Sequence, residues 1–272
     1  MKSTGCYKHK YLSFLVCISF IFSGYAQKAP EPNFLFSIRD TLFTTDHQEN
    51  IYLFGENYVK KLSSRGDILF TYSNKQFGKI SSVDAANPYK ILIFSQDQQK
   101  VIILDNTLSP KSDVIDLQWM GYNNITAVCI SFIKSFWIYD AQSGQLVLLD
   151  DQLQKVTETV NLKSFAGLYC DNPQLQETNN LLFVRCGPQL LIFDQFGVLV
   201  KKIQLPEPVD EGRSFDQVYY YLHNNNFCVY DINKLHNQCI FTVPKYDAVR
   251  IEKNSLYFLI KNKGLYKLDF KF

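Results

Sequence analysis

Side chains able to do chemistry are few in this sequence, and the carboxylates come closest to forming a pattern. "TTDHQEN" (44–50) sets Asp46, His47 and Glu49 within four residues, types that could hold an ion or move a proton. Asp150 and Asp151 adjoin in "LDDQ", as do Asp210 and Glu211 in "PEPVDEG". Glycoside hydrolysis needs two carboxyl groups flanking one sugar, and no spacing here places a pair in that way. The sequence has no GxSxG elbow, no phosphate-cradling glycine loop and no HExxH. The Asp46 group therefore reads as a solvated turn and the paired acids as loop residues. No catalytic residue, metal ligand or cofactor is assigned.

Cysteine is the other reactive type. Cys129, Cys170, Cys186, Cys228 and Cys239 follow the N-terminal leader; an odd number excludes a complete disulfide framework. A structural zinc needs four N or S ligands, whereas Cys170 and Cys186 have neither CxxC spacing nor a nearby histidine. One pair has a geometric case. A hairpin turning over "DINKLH" (231–236) sets Cys228 opposite Cys239, and directly opposed residues bring their Cβ atoms within reach of a disulfide. The remaining cysteines read as small buried hydrophobes.

The leader is residues 1–26. Three lysines in "MKSTGCYKHK", the apolar run "YLSFLVCISFIF" and the small residues of "SGYA" have the layout of a secretory signal peptide, too short for a spanning helix. Leu15 and Val16 before Cys17 are too large for a lipoprotein signal, so Cys17 reads as part of the apolar run. Cleavage would remove Lys2, Lys8 and Lys10 and no acid, taking the formal charge from +2 to about −1. The sequence shows no basic stripe for phosphate backbones, and no nucleic-acid partner is expected. No later apolar run approaches spanning length, so residues 27–272 are expected to form one soluble or peripherally held domain.

The elements that must position all these residues are written in a repeat. "KVIILDNTLS", "QLVLLDDQLQ", "QLLIFDQFGV", "NFCVYDINKL" and "GLYKLDFKF" each run from apolar residues into an Asp, and "YVKKLSSRGD" has Ser63 in its place. The last apolar residues, Leu62, Leu104, Leu149, Phe193, Tyr230 and Leu268, lie 37 to 45 residues apart, the period of propeller blades. A second run precedes each one ("IYLF", "ILIF", "SFWIY", "LLFV", "VYYYL", "LYFLI") across a tight polar connection, which predicts a hairpin. The Asp accepts a hydrogen bond from a backbone N–H two residues on and so starts another turn. Flanking runs such as "ITAVCISF" and "VLVKKIQL" bring each unit to four strands. The expected fold is all-β, a six-bladed propeller of four-stranded blades, with a five-bladed or irregular propeller as the alternative. "NFLFSIR" (33–39) is expected to complete the last blade and remove an exposed edge.

On a propeller, inter-blade connections and middle hairpin turns share one face. That layout gathers Phe77, Trp119, Met120, Tyr122, Phe215 and Tyr246 there, types enriched at interface centres. "DAANPYKILIFSQDQQKVIILDNTLS" (84–109) resembles a segment of uncharacterised exported β-propeller-like proteins of Bacteroidota-type bacteria, and "GYAQ" is similar to signal-cleavage ends common there. The resemblance implies export and a propeller-like fold and carries no functional residue. The expected function is a non-enzymatic, exported protein-binding or scaffolding module of the cell envelope, in the periplasm, at the outer membrane or outside it. A carbohydrate-active or small-ligand enzyme with a site in the central channel is the alternative.

Overall fold

The computed structural model describes residues 30–39, 42–167, 170 and 172–271. The expected signal peptide lies outside these residues. β1 (Asn33–Phe36) is followed by blade 1, made of β2 (Leu42–Thr45), β3 (Ile51–Phe54), β4 (Tyr58–Leu62) and β5 (Ile68–Ser73). Blade 2 holds β6 (Ser82–Asp84), β7 (Ile91–Ser95), β8 (Lys100–Leu104) and β9 (Ile115–Asp116). Blade 3 holds β10 (Ile125–Ile130), β11 (Phe136–Asp140), β12 (Gln145–Leu149) and β13 (Lys155–Glu158). A short helix, α1 (Leu162–Ala166), leads to blade 4, with β14 (Gln174–Thr178), β15 (Leu181–Cys186), β16 (Gln189–Asp194) and β17 (Leu199–Gln204). Blade 5 is β18 (Gly212–Phe215), β19 (Val218–His223), β20 (Asn226–Asp231) and β21 (His236–Thr242). β22 (Ala248–Glu252), β23 (Ser255–Ile260) and β24 (Gly264–Asp269) complete the chain order.

Each blade is one four-stranded antiparallel sheet, and the last has the order β1-β24-β23-β22. The fold is a six-bladed β-propeller. β1 supplies the outermost strand of blade 6, pairing Asn33 with Lys267 and Phe34 with Tyr266. The ring is thereby closed by the two ends of the fold, and the edge of β24 is covered. Gly264 makes this contact feasible. It has φ +131°, and a Cβ there would stand 2.5 Å from the Phe36 carbonyl oxygen.

The core is six separate seams between blades. Tyr52 and Phe54 point into the seam with blade 2, beside Ile91 and Ile93. Ile51 and Leu53 of the same strand point the other way, beside Tyr257 and Leu259 of blade 6. Trp137 and Tyr139 face blade 4 while Phe136 and Ile138 face blade 2. Successive strand residues point to opposite faces, so a strand buried on both faces is apolar at every position. That is why "IYLF" and "ILIF" read as unbroken runs. Outer strands such as β13 are mostly exposed and read as polar.

The repeated Asp closes the turn between third and fourth strands as expected. Asp105 Oδ1 accepts the N–H groups of Thr107 and Ser109, Asp150 Oδ1 those of Gln152 and Gln154, and Asp194 Oδ1 those of Phe196 and Val198. Ser63 Oγ accepts from Arg65 and Asp67 in the same pattern, so the hydroxyl replaces the carboxylate without changing the turn.

Candidate functional site

Two concave features stand out among the described residues. The first is the axial channel, whose wall is formed largely by the innermost strands β2, β6, β10, β14, β18 and β22. It encloses about 290 Å³ and is lined by Asp84, Thr126, Arg185, Glu211, Arg213 and Arg250, together with apolar Val83, Leu175 and Phe183. Side chains of this layer also link neighbouring blades. Glu252 accepts from Thr45 Oγ1 of blade 1 at 2.6 Å and pairs with Arg213 of blade 5 at 2.7 Å. Arg250 reaches Glu211 at 3.4 Å, and Gln176 of blade 4 exchanges two bonds with the Ser214 backbone of blade 5. Glu177 accepts from Phe132 N at 2.8 Å and from Trp137 Nε1 at 2.7 Å. Asp84 accepts from Ala86 N and, across to blade 3, from Ile130 N.

The second feature is a side groove of about 730 Å³ between blades 2 and 3, lined by Lys90, Ile103, Lys111, Val114, Trp119, Met120, Asp151 and Leu153 among others. It exists because the outer strand of blade 2 is cut short. β9 has two residues and pairs with β8 only at Lys100↔Asp116 and Val101↔Ile115. The chain then enters a tight turn in which Asp116 Oδ1 accepts from Gln118 N and Trp119 N, and Leu117 O from Met120 N and Tyr122 N. That turn holds Trp119 with 92 % of its surface open, while Met120 and Tyr122 pack against the seam beneath.

The six residues expected on one face do not stay together. Trp119 is exposed, and Tyr246 is half-buried on the same face against Phe258, its hydroxyl donating to Asp210 Oδ2 at 2.9 Å. Burial, then that carboxylate, raises the Tyr246 phenol above its usual range. Phe77 is only 1 % exposed and fills the seam between blades 1 and 2, because the inter-blade connection folds inward over the gap. Phe215 ends β18, at the turn between first and second strands, and so lies at the opposite end of the propeller. The surface is smaller than the six residues implied.

The acidic motifs do not gather into one site, and Glu211, expected in a polar loop, instead lies on the channel wall and reaches Arg250 of blade 6. Asp46 is buried rather than solvated: Oδ1 accepts from Gln48 N and Asn50 N, and Oδ2 from Asn50 Nδ2 and Tyr52 Oη. Burial and this carboxylate push the Tyr52 phenol up. Glu49 turns outward to Lys267 at 2.7 Å, so the Asp46, His47 and Glu49 side chains do not converge. Asp150 is spent on its turn and Asp151 meets Lys90 at 3.3 Å. Among the described residues no group of three His, Cys, Asp or Glu could hold a metal ion.

Cys228 and Cys239 are directly opposed on β20 and β21 and form a disulfide. Cys170 and Cys186 form a second, with Cα atoms 5.8 Å apart, which corrects their reading as small buried hydrophobes. This bond ties the connection after α1 to the end of β15. Cys129 is free and buried in the seam between blades 3 and 4, where burial, then Asp84 and Glu177, raises its thiol well above the ordinary value.

No family model matches this chain, and no curated protein matches it in sequence. Solved structures do match in fold. Virginiamycin B lyase from Staphylococcus aureus is 11 % identical with TM-score 0.57 over 84 % of this chain and 80 % of that one. A chain of the mitotic checkpoint complex is 11 % identical with TM-score 0.59, covering 99 % of both. The extracellular domain of the one-component system BT4673 from B. thetaiotaomicron is 8 % identical with TM-score 0.55, over 85 % of this chain and 34 % of that one. A lyase, a member of a protein assembly and the extracellular domain of a one-component system share the architecture, so the likeness establishes a propeller and leaves activity to the site. Among the described residues no helix is long and apolar enough to cross a membrane.

Proposed function

We propose that this protein is an exported β-propeller that binds a protein partner in the cell envelope, without catalysis, through the side of blades 2 and 3. The observation that carries the reading is Trp119. It is a large aromatic with 92 % of its surface exposed, presented on a hydrogen-bonded turn beside an apolar groove. Tryptophan is the side chain most enriched at binding hot spots, and a rigid turn loses little conformational freedom on association. Met120 and Tyr122 support it from below, whereas Tyr246 belongs to the seam of blades 5 and 6 and lies outside this surface. Export is supported by the signal-like leader and by two disulfides, which persist in oxidising compartments. The extracellular placement of one structural neighbour is consistent with it.

The test is affinity purification of the C-terminally tagged protein from its native envelope, followed by mass spectrometry. Trp119→Ser is the principal variant, because its side chain packs on little and the fold should tolerate it. A triple Trp119, Met120, Tyr122→Ser variant is the stronger perturbation, used only if its melting temperature is preserved. A partner retained by wild type and lost from Trp119→Ser supports the reading. A partner retained by both variants refutes the surface, and no stable partner under gentle extraction refutes the scaffolding role.

A further inference from the structure

The chain has five arginines, Arg39, Arg65, Arg185, Arg213 and Arg250, against many more lysines. Three of the five line the axial channel, while Arg39 and Arg65 are exposed. The lysine-rich exterior makes this concentration specific to the channel. Arginine differs from lysine in offering a planar fork of donors that matches two oxygens of a carboxylate or phosphate at once.

The charges along the wall do not cancel residue by residue. Arg213 is paired with Glu252 at 2.7 Å, and Arg250 with Glu211 at the longer 3.4 Å. Arg185 is 8 % exposed, and its hydrogen bonds run to Gln174 Oε1, the Gly187 carbonyl and the Val209 carbonyl, each at 3.1 Å. Those acceptors are all neutral; Gln174 stands between Arg185 and Glu211, donating to Glu211 Oε2 at 3.3 Å, and Glu211 is shared with Arg250. Asp84, the other carboxylate on the wall, is committed to two backbone N–H groups. A buried guanidinium with neutral partners is costly unless a counter-charge approaches it. Arg213 and Arg250 make their described hydrogen bonds through Nη1, leaving Nη2 without a hydrogen-bond acceptor among the described residues, while the guanidinium groups face the Phe215 and Phe43 rings at 5.5 and 5.8 Å. Thr126 Oγ1, also on the wall, is buried with no hydrogen-bond partner.

We propose that the axial channel binds a small oxyanion, a carboxylate or phosphate group on a compound of sugar size, held by Arg185, Arg213 and Arg250. The cavity volume of about 290 Å³ falls just below the usual span of ligand pockets, roughly 300–1,000 Å³, and suits a ligand no larger than a single sugar. The anion would supply the counter-charge Arg185 lacks, and Thr126 Oγ1 would find its partner in the ligand.

Calorimetric titration of the mature protein with inorganic phosphate, glucuronate and glucose separates the sources. Phosphate and glucuronate each carry the anionic group, and glucose is a neutral control of similar size. The expected result is saturable binding of at least one anion, none of glucose, and a roughly tenfold or greater loss in Arg250→Gln, with a smaller loss in Arg250→Lys. Should Arg250→Gln fail to fold, ¹⁵N-arginine spectra of the unmodified protein decide instead. Nε–Hε peaks of three arginines should move on titration while those of Arg39 and Arg65, assigned through their Lys variants, stay in place. Equal response to anion and glucose, no binding at about 10 mM, or uniform shifts of all five peaks would overturn the proposal. Trp119→Ser should bind the anion as wild type does, so the channel and the partner surface fail or succeed separately.

Discussion

Glu177 of blade 4 accepts hydrogen bonds from Phe132 N and Trp137 Nε1 of blade 3, and both Glu177 and Trp137 are almost wholly buried. Glu177→Ala would remove both acceptors at once. A hydrogen bond to a charged group contributes roughly 1.5–3 kcal/mol, and a buried donor left unsatisfied costs about 1–3 kcal/mol. Phe132 N lies in a partly exposed turn where water can replace the carboxylate, whereas the indole N–H is closed off in the seam. The expected loss is therefore about 3–5 kcal/mol, most of it from the Trp137 side, which lowers the melting temperature by about 6–20 °C. Glu177→Gln keeps one carbonyl acceptor and should lose about half as much. The chain has two tryptophans, Trp119 and Trp137, so Trp119→Phe leaves a single fluorophore inside the seam. Urea unfolding followed by that fluorophore measures the loss, and its emission reports whether water has entered. A loss below about 1 kcal/mol with unchanged emission would refute the claim that this carboxylate locks blades 3 and 4.

Gly264→Ala places a Cβ against backbone atoms of β1. It should cost at least about 2 kcal/mol and speed amide exchange across Asn33–Phe36 more than in blades 2 to 4; uniform protection would contradict this. Alkylation of the denatured mature protein should modify one of the five cysteines without reductant and all five after reduction, because only Cys129 is free. The Thr107 hydroxyl, then the Ser109 N–H, holds the Asp105 carboxyl below its ordinary value, and the Lys234 backbone does the same for Asp231. Their contribution to stability is complete above the unfolded carboxylate value, about 3.9, and is lost as pH falls through the lower folded value. Carboxyl-carbon NMR titration checks this, and a midpoint at or above the unfolded value would be the contrary outcome.

The blades were legible because burial on both faces leaves a mark in sequence. "ILIF" and "FWIYD" are apolar throughout since one residue feeds one seam and its neighbour the next. The Asp turns were legible because their chemistry is local, spanning four residues. What depended on three-dimensional convergence was not. Arg185, Arg213 and Arg250 sit on different strands in blades 4, 5 and 6, and only the scarcity of arginine elsewhere could have drawn attention to them. Glu177 in "QLQET" looks like any polar strand residue until blade 3 is placed beside it. Cys170, beyond α1, meets Cys186 at the end of β15, a pairing that spacing does not encode. Phe77 misled for the opposite reason: an aromatic in a polar connection reads as a loop tip, while the connection here is the lid of a seam.

The closure of blade 6 by β1 has a bearing on the order in which the molecule can be made. Among the strands of the ring β1 emerges first when the chain is delivered N-terminus first, yet its partner β24 emerges last of them, more than two hundred residues later. Until then β1 has no ladder to join, and blade 1 has only one neighbour. Non-local pairings of this length form late, after the loop entropy between the ends has been overcome by the intervening blades. Delivery in this order, at the far side of the membrane for an exported chain, leaves an open arc of five blades whose two ends are sticky, and a single late zipper turns it into a ring. A permuted chain beginning at β2 and carrying β1 after β24 would make that zipper an ordinary neighbouring hairpin. It should close faster than the natural order while reaching the same final structure.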